Sequence, residues 1–254
     1  MSSLLRRSMT LWSLGYPEAA LADSDQSLTD AREIGQAATL FFALMGRWWT
    51  HTFCGNYAEA TALADELVAF ADEKGASFWK ATGTLEQGCL CVLTGKASAA
   101  IHMMPVVTSA MRSSGMRLHL PLWLSVLANG YAQLGRFDEA WRCIAEAIAV
   151  METTNEKWCD PQVHQLAGEI ALMTPDPDNA KVESHFQRAI TLAQAQQAKS
   201  FELRAAMGMA RLWRDQGKVQ QARELLAPAY GWFTEGFDTR DLKEAKALLE
   251  KLVA

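Results

Sequence analysis

The sequence predicts an all-α protein, a solenoid of about six stacked helical hairpins. A Gly-centred turn recurs with a period of about 40 residues, at Gly15, Gly55, Gly95 and Gly135, and again at Gly217. The segments between the turns are rich in Ala, Leu, Glu, Gln, Arg and Met, which favour helices. Strand-length alternation of Val, Ile and Thr is nearly absent. A period of this length indicates helical units that stack to bury one continuous core.

The gap between Gly135 and Gly217 is about twice this period, which leaves room for one more unit. We place the turn of that unit at Pro177. The chain is then one solenoid over residues 1–254, and its units and cap helix follow in order: 1–36, 37–76, 77–116, 117–157, 158–198, 199–237 and 238–254.

Each unit is predicted to consist of a helix A, the Gly turn and a helix B. In the fourth unit, helix A covers 120–134, and Gly135 ends it because glycine tolerates positive φ. Asp138 and Glu139 then lie in the first turn of helix B, where carboxylates suit the helix dipole. We call the five turn glycines and Pro177 the markers of the units. The residue five positions after each marker is small, which predicts close packing of the two helices of a unit: Ala20, Ala60, Ala100, Ala140, Val182 and Ala222.

The two ends of the solenoid differ. The last helix, predicted over 241–252, has one apolar stripe and a charged opposite face, as a capping helix needs. The first helix has no such polar face, so Leu5 and Trp12 are expected to be exposed unless an upstream domain or a second copy covers them. We therefore predict an assembly surface at this uncapped N-terminal end, with a homodimer as the expected consequence.

Charge and composition exclude several classes of function. The net charge of -5 disfavours direct binding of nucleic acid. No apolar run reaches the ~20 residues that a membrane span needs, and the N-terminus lacks the apolar segment of a secretory signal. The five cysteines are scattered, which is typical of reduced thiols in the cytoplasm. The expected protein is cytoplasmic and has no membrane partner.

The sequence contains no convincing catalytic, cofactor or metal site. The nearest approach to a phosphate loop lies around Gly95, but Leu90 and Ala97 stand where that loop needs Gly and Ser or Thr. A zinc site from Cys159, Asp160 and His164 is conceivable, but the cluster lies at a predicted helix start, where Asp160 is expected to be the N-cap before Pro161. We expect a protein that is not an enzyme and needs no cofactor.

The inward face of the A helices is the candidate binding groove. Inward positions are predicted at helical spacing before each marker, and they change from apolar through polar to basic along the chain. This face would suit a protein or peptide partner, or a helix, with an apolar part and an acidic part. Two alternatives stay open, that the aromatic residues are core and that the arginines form a solvated face paired with Glu202 or Asp215. The candidate groove residues are Phe42, Met45, Trp49, Phe53, Leu85, Asn129, Arg204, Arg211 and Arg214.

The fourth unit resembles the tetratricopeptide repeat. Tyr131, Gly135, Phe137, Ala140 and Ala147 fall at the consensus positions of that repeat, although the period here is longer than that of the consensus unit. The resemblance implies a right-handed α-α superhelix and a surface for protein interaction.

The end of the chain resembles the C-terminal region of a bacterial signalling family. The segments that carry the resemblance are 201–207, 210–217 and 230–239. Members of that family join a class III adenylate/guanylate cyclase domain, or a DNA-binding domain, to an AAA-type NTPase and a tetratricopeptide tail. The resemblance implies a regulatory sensor domain that modulates an associated cyclase or NTPase, and no catalytic residue carries over. Two other functions remain open, a receptor for an anionic metabolite and the regulatory tail of a transcription activator.

Overall fold

The computed structural model describes residues 2–113, 115 and 117–253, apart from the side chains of residues 2, 3 and 5. In that part of the chain there are 13 helices and no strand. They form six consecutive pairs and a final helix: α1 Ser2–Ser13, α2 Pro17–Ile34, α3 Ala37–Cys54, α4 Tyr57–Glu73, α5 Ser77–Leu93, α6 Ala97–Ser113, α7 Leu120–Gln133, α8 Phe137–Thr154, α9 Asp160–Met173, α10 Asn179–Ala195, α11 Lys199–Asp215, α12 Val219–Gly231 and α13 Arg240–Lys251.

Each helix packs on the next, so the predicted solenoid of six helical hairpins with a C-terminal cap helix is confirmed. The six small residues that follow the turn markers are all fully buried. None of the described helices is long and apolar enough to cross a membrane.

The Gly markers end the A helices as expected. Gly55 has φ 81°, its N–H donates to the carbonyl of Thr52 at 3.1 Å, and the next N–H, of Asn56, donates to the carbonyl of His51 at 2.8 Å. These two bonds satisfy carbonyls that the end of a helix leaves unpaired.

The B helices end in the same way, halfway between the markers. Gly35 and Gly75 have positive φ, and Asn155 adopts the left-handed conformation at the end of α8. The chain therefore reverses direction twice per period in its first four units. The helix-ending residues recur at half the period that was read from the sequence.

The fifth unit contains a longer turn. Helix α9 ends at Met173 and α10 begins at Asn179, where the Asp178 carboxylate caps the helix by accepting from the N–H of Ala180 at 3.0 Å. Phe186 of α10 is fully buried and packs on Gly168 of α9 and Gly208 of α11, where a Cβ atom would overlap its ring. These two glycines allow three helices to meet around one aromatic side chain.

The two ends of the solenoid meet, which the sequence did not predict. Trp12 of α1 is only 3% exposed, because it stacks on Phe53 of α3 at 4.3 Å and meets the edge of Phe201 of α11 at 5.0 Å. The hydroxyl of Ser200 donates to the carbonyl of Trp12. The prediction that Trp12 is exposed is wrong, since the chain covers it with its own C-terminal part. The side chain of Leu5 lies outside the described residues.

A second contact closes the ring beside the first. The Glu18 carboxylate accepts from the N–H of Gly236 at 2.7 Å, and the Glu235 carboxylate accepts from the N–H of Ala19 at 3.0 Å. Each end thus supplies a carboxylate to the backbone of the other. We call these contacts, together with those of Trp12, the seam.

The last helix, α13, packs on α11 and α12 through a buried apolar stripe, as predicted. It also reaches the other end of the chain, because the guanidinium of Arg240 donates to the hydroxyl of Tyr57 on α4. The helix therefore helps to close the ring as well as capping the last hairpin.

Candidate binding cavity

The inner faces of five A helices and the last helix enclose a central cavity of about 240 Å³. Its lining has three chemically different sides, one apolar, one of carboxamides and one of ion pairs. The main lining residues are Trp48, Trp49, Thr52, Phe53, Val92, Leu122, Val126, Asn129, Gln133, Gln162, Gln165, Leu166, Glu169, Arg204, Met207, Arg211, Arg240, Asp241 and Glu244.

The aromatic residues of the apolar side belong both to the core and to the cavity. Trp49 is 3% exposed, and its ring lies 5.2 Å from Trp48, 5.0 Å from Trp123 and 5.5 Å from Phe53. The rings hold one another in place, so this side of the cavity is rigid and preformed.

The carboxamide side comes from α7 and α9. The Gln133 amide donates to the Val92 carbonyl and to the Asn129 side chain, both at 3.2 Å. Gln165 donates to the carboxylate of Glu169 at 2.6 Å. Carboxamides both donate and accept, so this side suits polar groups of either kind.

The ionic side comes from α11 and α13. Arg204 donates to Asp241 at 2.6 Å and to the carbonyl of Phe53 at 2.7 Å. Arg211 and Arg240 donate to the two oxygens of one carboxylate, that of Glu244, at 2.9 and 2.7 Å. The basic end predicted for the groove is balanced by negative charge, because α13 supplies a carboxylate to each arginine of α11 that lines the cavity.

Glu169 is the remaining carboxylate of the lining. Burial raises its pKa, while the positive charges of Arg211, Arg204 and Arg240 act in the opposite direction. Among the described residues it forms no ion pair. Three guanidinium groups and three carboxylates thus line the cavity, and their formal charges cancel.

Three lining residues carry buried polar atoms that have no hydrogen-bond partner among the described residues. They are Trp48 Nε1, Thr52 Oγ1 and Gln162 Oε1. Leaving such an atom unpaired costs about 1–3 kcal/mol.

The structure brings five of the nine predicted groove residues to this cavity, namely Trp49, Phe53, Asn129, Arg204 and Arg211. The other four lie elsewhere. Phe42 and Met45 line a separate apolar pocket of about 700 Å³ that also contacts Trp49. Leu85 is core, at 2% exposed, and Arg214 pairs with the adjacent Asp215 at 2.7 Å.

Two sets of lining residues were missed. One is the inner face of α9, with Gln162, Gln165 and Glu169, and the other is α13. The α9 face follows the inward spacing of the other units once its marker is placed at residue 175 instead of 177. No periodic signal marks α13, because it has no partner helix.

Other chemistry-bearing groups do not form a reactive site. Burial raises the pKa of the Cys54 thiol to about 12 and that of Cys143 to about 11, so both are protonated at neutral pH. In the described ranges no three His, Cys, Asp or Glu side chains are placed to hold a metal ion.

No family model matches the sequence, and a search of curated proteins finds no match. Among solved structures, the apo form of RapI is similar, with a TM-score of 0.65 over 98% of this chain and 83% of that chain. The chain has a tetratricopeptide-like helical-repeat fold. At 13% sequence identity the likeness to RapI concerns the fold alone.

Proposed function

We propose that this chain is a non-catalytic regulatory domain that binds a ligand in its central cavity and passes the bound state to a protein partner. The observation that carries the proposal is the convergence of inward residues from five separate repeats on one cavity.

The size of the cavity decides what kind of ligand fits. An α-helix with its side chains is about 10 Å across, and pockets for drug-sized ligands hold about 300–1,000 Å³. A cavity of about 240 Å³ is too small for a partner helix. The ligand is a small molecule or the end of an extended peptide, and a larger protein partner contacts the outside of the ring.

The cavity and the seam share residues, which gives a route from ligand to partner. Phe53 lines the cavity and stacks on Trp12, while Arg204 lines it and lies 4.8 Å from the same ring. A ligand that contacts these side chains stabilises the closed ring over an open one. The partner would then sense the ring closure.

The regulated partner follows from the sequence resemblance described above. We infer that it is a bacterial nucleotide cyclase or its NTPase, in the cytoplasm, reached through protein contact. The net charge of -5 is consistent with a domain that does not itself bind nucleic acid.

The test is a thermal-unfolding screen against a defined panel: the twenty amino acids, common nucleotides, dicarboxylates and peptides of three to five residues. A ligand at 100 times its Kd adds about 2.7 kcal/mol, which corresponds to a rise in Tm of about 5–10 °C for a chain of this length. The blocking variant Leu166→Trp places an indole in the cavity, and Leu134→Trp places one on the exposed surface as a control.

We expect at least one compound to stabilise the wild type and Leu134→Trp, and to have no effect on Leu166→Trp. If no compound acts, or if every active compound acts equally on the blocking variant, the cavity is not the binding site and the proposal is wrong.

A further inference from the structure

The carboxamide side of the cavity offers hydrogen-bond acceptors on one helix. Gln162 and Glu169 are seven residues apart, so they lie on the same face of α9. Gln162 is 8% exposed and its Oε1 atom has no partner among the described residues. Glu169 has one oxygen that accepts from Gln165 and takes part in no ion pair there. A ligand group that donates hydrogen bonds and carries positive charge suits the second oxygen of Glu169.

The ionic side, on α11 and α13, offers donors. Arg211 and Arg240 both bind the carboxylate of Glu244, so two guanidinium groups share one negative charge. A guanidinium has five N–H donors, and Arg211 uses only one nitrogen for Glu244. A second carboxylate, from a ligand, suits the donors that remain.

The two sides are adjacent, because α9 and α11 pack on each other. The charges of Arg211, Arg204 and Arg240 each act on the titration of Glu169. Because the formal charges of the lining cancel, an anion alone or a cation alone would leave a net charge among partly buried groups, which is less favourable than a balanced set. A ligand that carries both charges a few ångströms apart keeps the balance.

The third side takes an apolar group. Trp49, Phe53, Val126, Leu166 and Met207 line it without offering a charge. The volume of about 240 Å³ lies below the about 300–1,000 Å³ of pockets for drug-sized ligands. This favours a ligand about the size of one residue.

We propose that the cavity binds a free α-amino acid with an apolar side chain. Its ammonium group binds Glu169, its carboxylate binds Arg211 beside Arg240, and its side chain lies against Trp49 and Phe53. This assignment rests on the proposed function, whose ligand it names by class.

The test is calorimetric titration of the wild-type protein with L-leucine, L-methionine and L-phenylalanine. The one that binds most tightly is compared with its N-acetyl derivative, which lacks the ammonium group, and with its C-terminal amide, which lacks the carboxylate. We expect each derivative to bind at least 10-fold more weakly. This series needs no variant, so it does not depend on how a substitution affects folding.

Two matched pairs of variants assign the charges. Glu169→Gln and Arg211→Gln are each expected to weaken binding of the amino acid at least 10-fold. Glu152→Gln on the exposed face of α8, and Arg214→Gln one turn from Arg211 but outside the cavity, are expected to stay within twofold of the wild type.

The outcomes separate this inference from the proposed function. Equal binding of the parent and both derivatives overturns the zwitterion. The three amino acids could have no effect, while a nucleotide, a dicarboxylate or a peptide stabilises the wild type but not Leu166→Trp. This result overturns the assignment of the ligand as an amino acid and supports the cavity as the binding site. The absence of any compound that distinguishes wild type from Leu166→Trp overturns both.

Discussion

Replacing Trp12 by Ala is expected to open the ring. Trp12 is 3% exposed, stacks on Phe53 at 4.3 Å, meets Phe201 at 5.0 Å and lies under the guanidinium of Arg204 at 4.8 Å. Truncation of a buried Trp to Ala costs about 3–5 kcal/mol. This cost falls on the packing of α1 against α3 and on its contact with α11, which joins the first and sixth units of the chain. The closed form should therefore lose more stability than the individual hairpins do.

Urea unfolding followed by circular dichroism measures the loss, and small-angle X-ray scattering measures the opening as a larger radius of gyration. Trp12→Phe keeps an aromatic ring at the seam and should lose less than half as much. A Trp12→Ala variant with wild-type stability and size would refute the seam. So would a dimeric wild type that Trp12→Glu converts into an equally stable monomer, since Trp12 would then lie between two copies.

Three further predictions concern the core. Gly208→Ala is expected to lose about 1–3 kcal/mol of stability in urea unfolding, because the new Cβ overlaps the ring of Phe186. The control Gly231→Ala has open space around the new Cβ and should leave stability unchanged. Equal effects of the two substitutions would contradict this packing. Burial raises the pKa of Glu86 well above its usual value, so the folded state loses stability as the pH rises above about 4.5. Glu86→Gln should therefore be more stable than wild type at pH 8, and this advantage should be smaller at pH 5. A stability difference independent of pH would contradict an uncharged Glu86 in the folded state. Burial lowers the pKa of His164 below 6.5, so the unfolded state takes up a proton first as the pH falls below that value. Acidification should therefore lower the free energy of unfolding, and His164→Gln should make this decrease smaller. The same dependence of stability on pH in His164→Gln and wild type would be the contrary result.

The repeat pattern predicts the helices well, because each turn is specified locally. Glycine at positive φ ends a helix wherever it stands, as at Gly55, and small residues such as Ala60 are buried where two helices pack. The inner face of α9 was missed because of one assumption about register. The two extra residues of the fifth unit lie in the turn after α9, so the A helix keeps the regular spacing and only the B helix is shifted.

The closure of the ring could not be read from the sequence. It depends on the curvature of the superhelix, which is the sum of small rotations between neighbouring units and leaves no periodic trace. For this reason Trp12 was expected to be exposed, and Arg204 and Arg211 were expected to be available to a ligand. In the structure, Trp12 lies in the seam and α13 supplies Asp241 and Glu244 to the arginines.

The central prediction is a ligand that binds inside the closed ring. Hydrogen–deuterium exchange of the wild-type protein, with and without the panel compound that stabilises it most, tests this directly. We predict slower exchange in the inner helices α9 and α11 and in the seam segment 232–240, with little change in the outer helices α4, α6 and α8. Protection confined to those outer helices would contradict a ligand in the cavity.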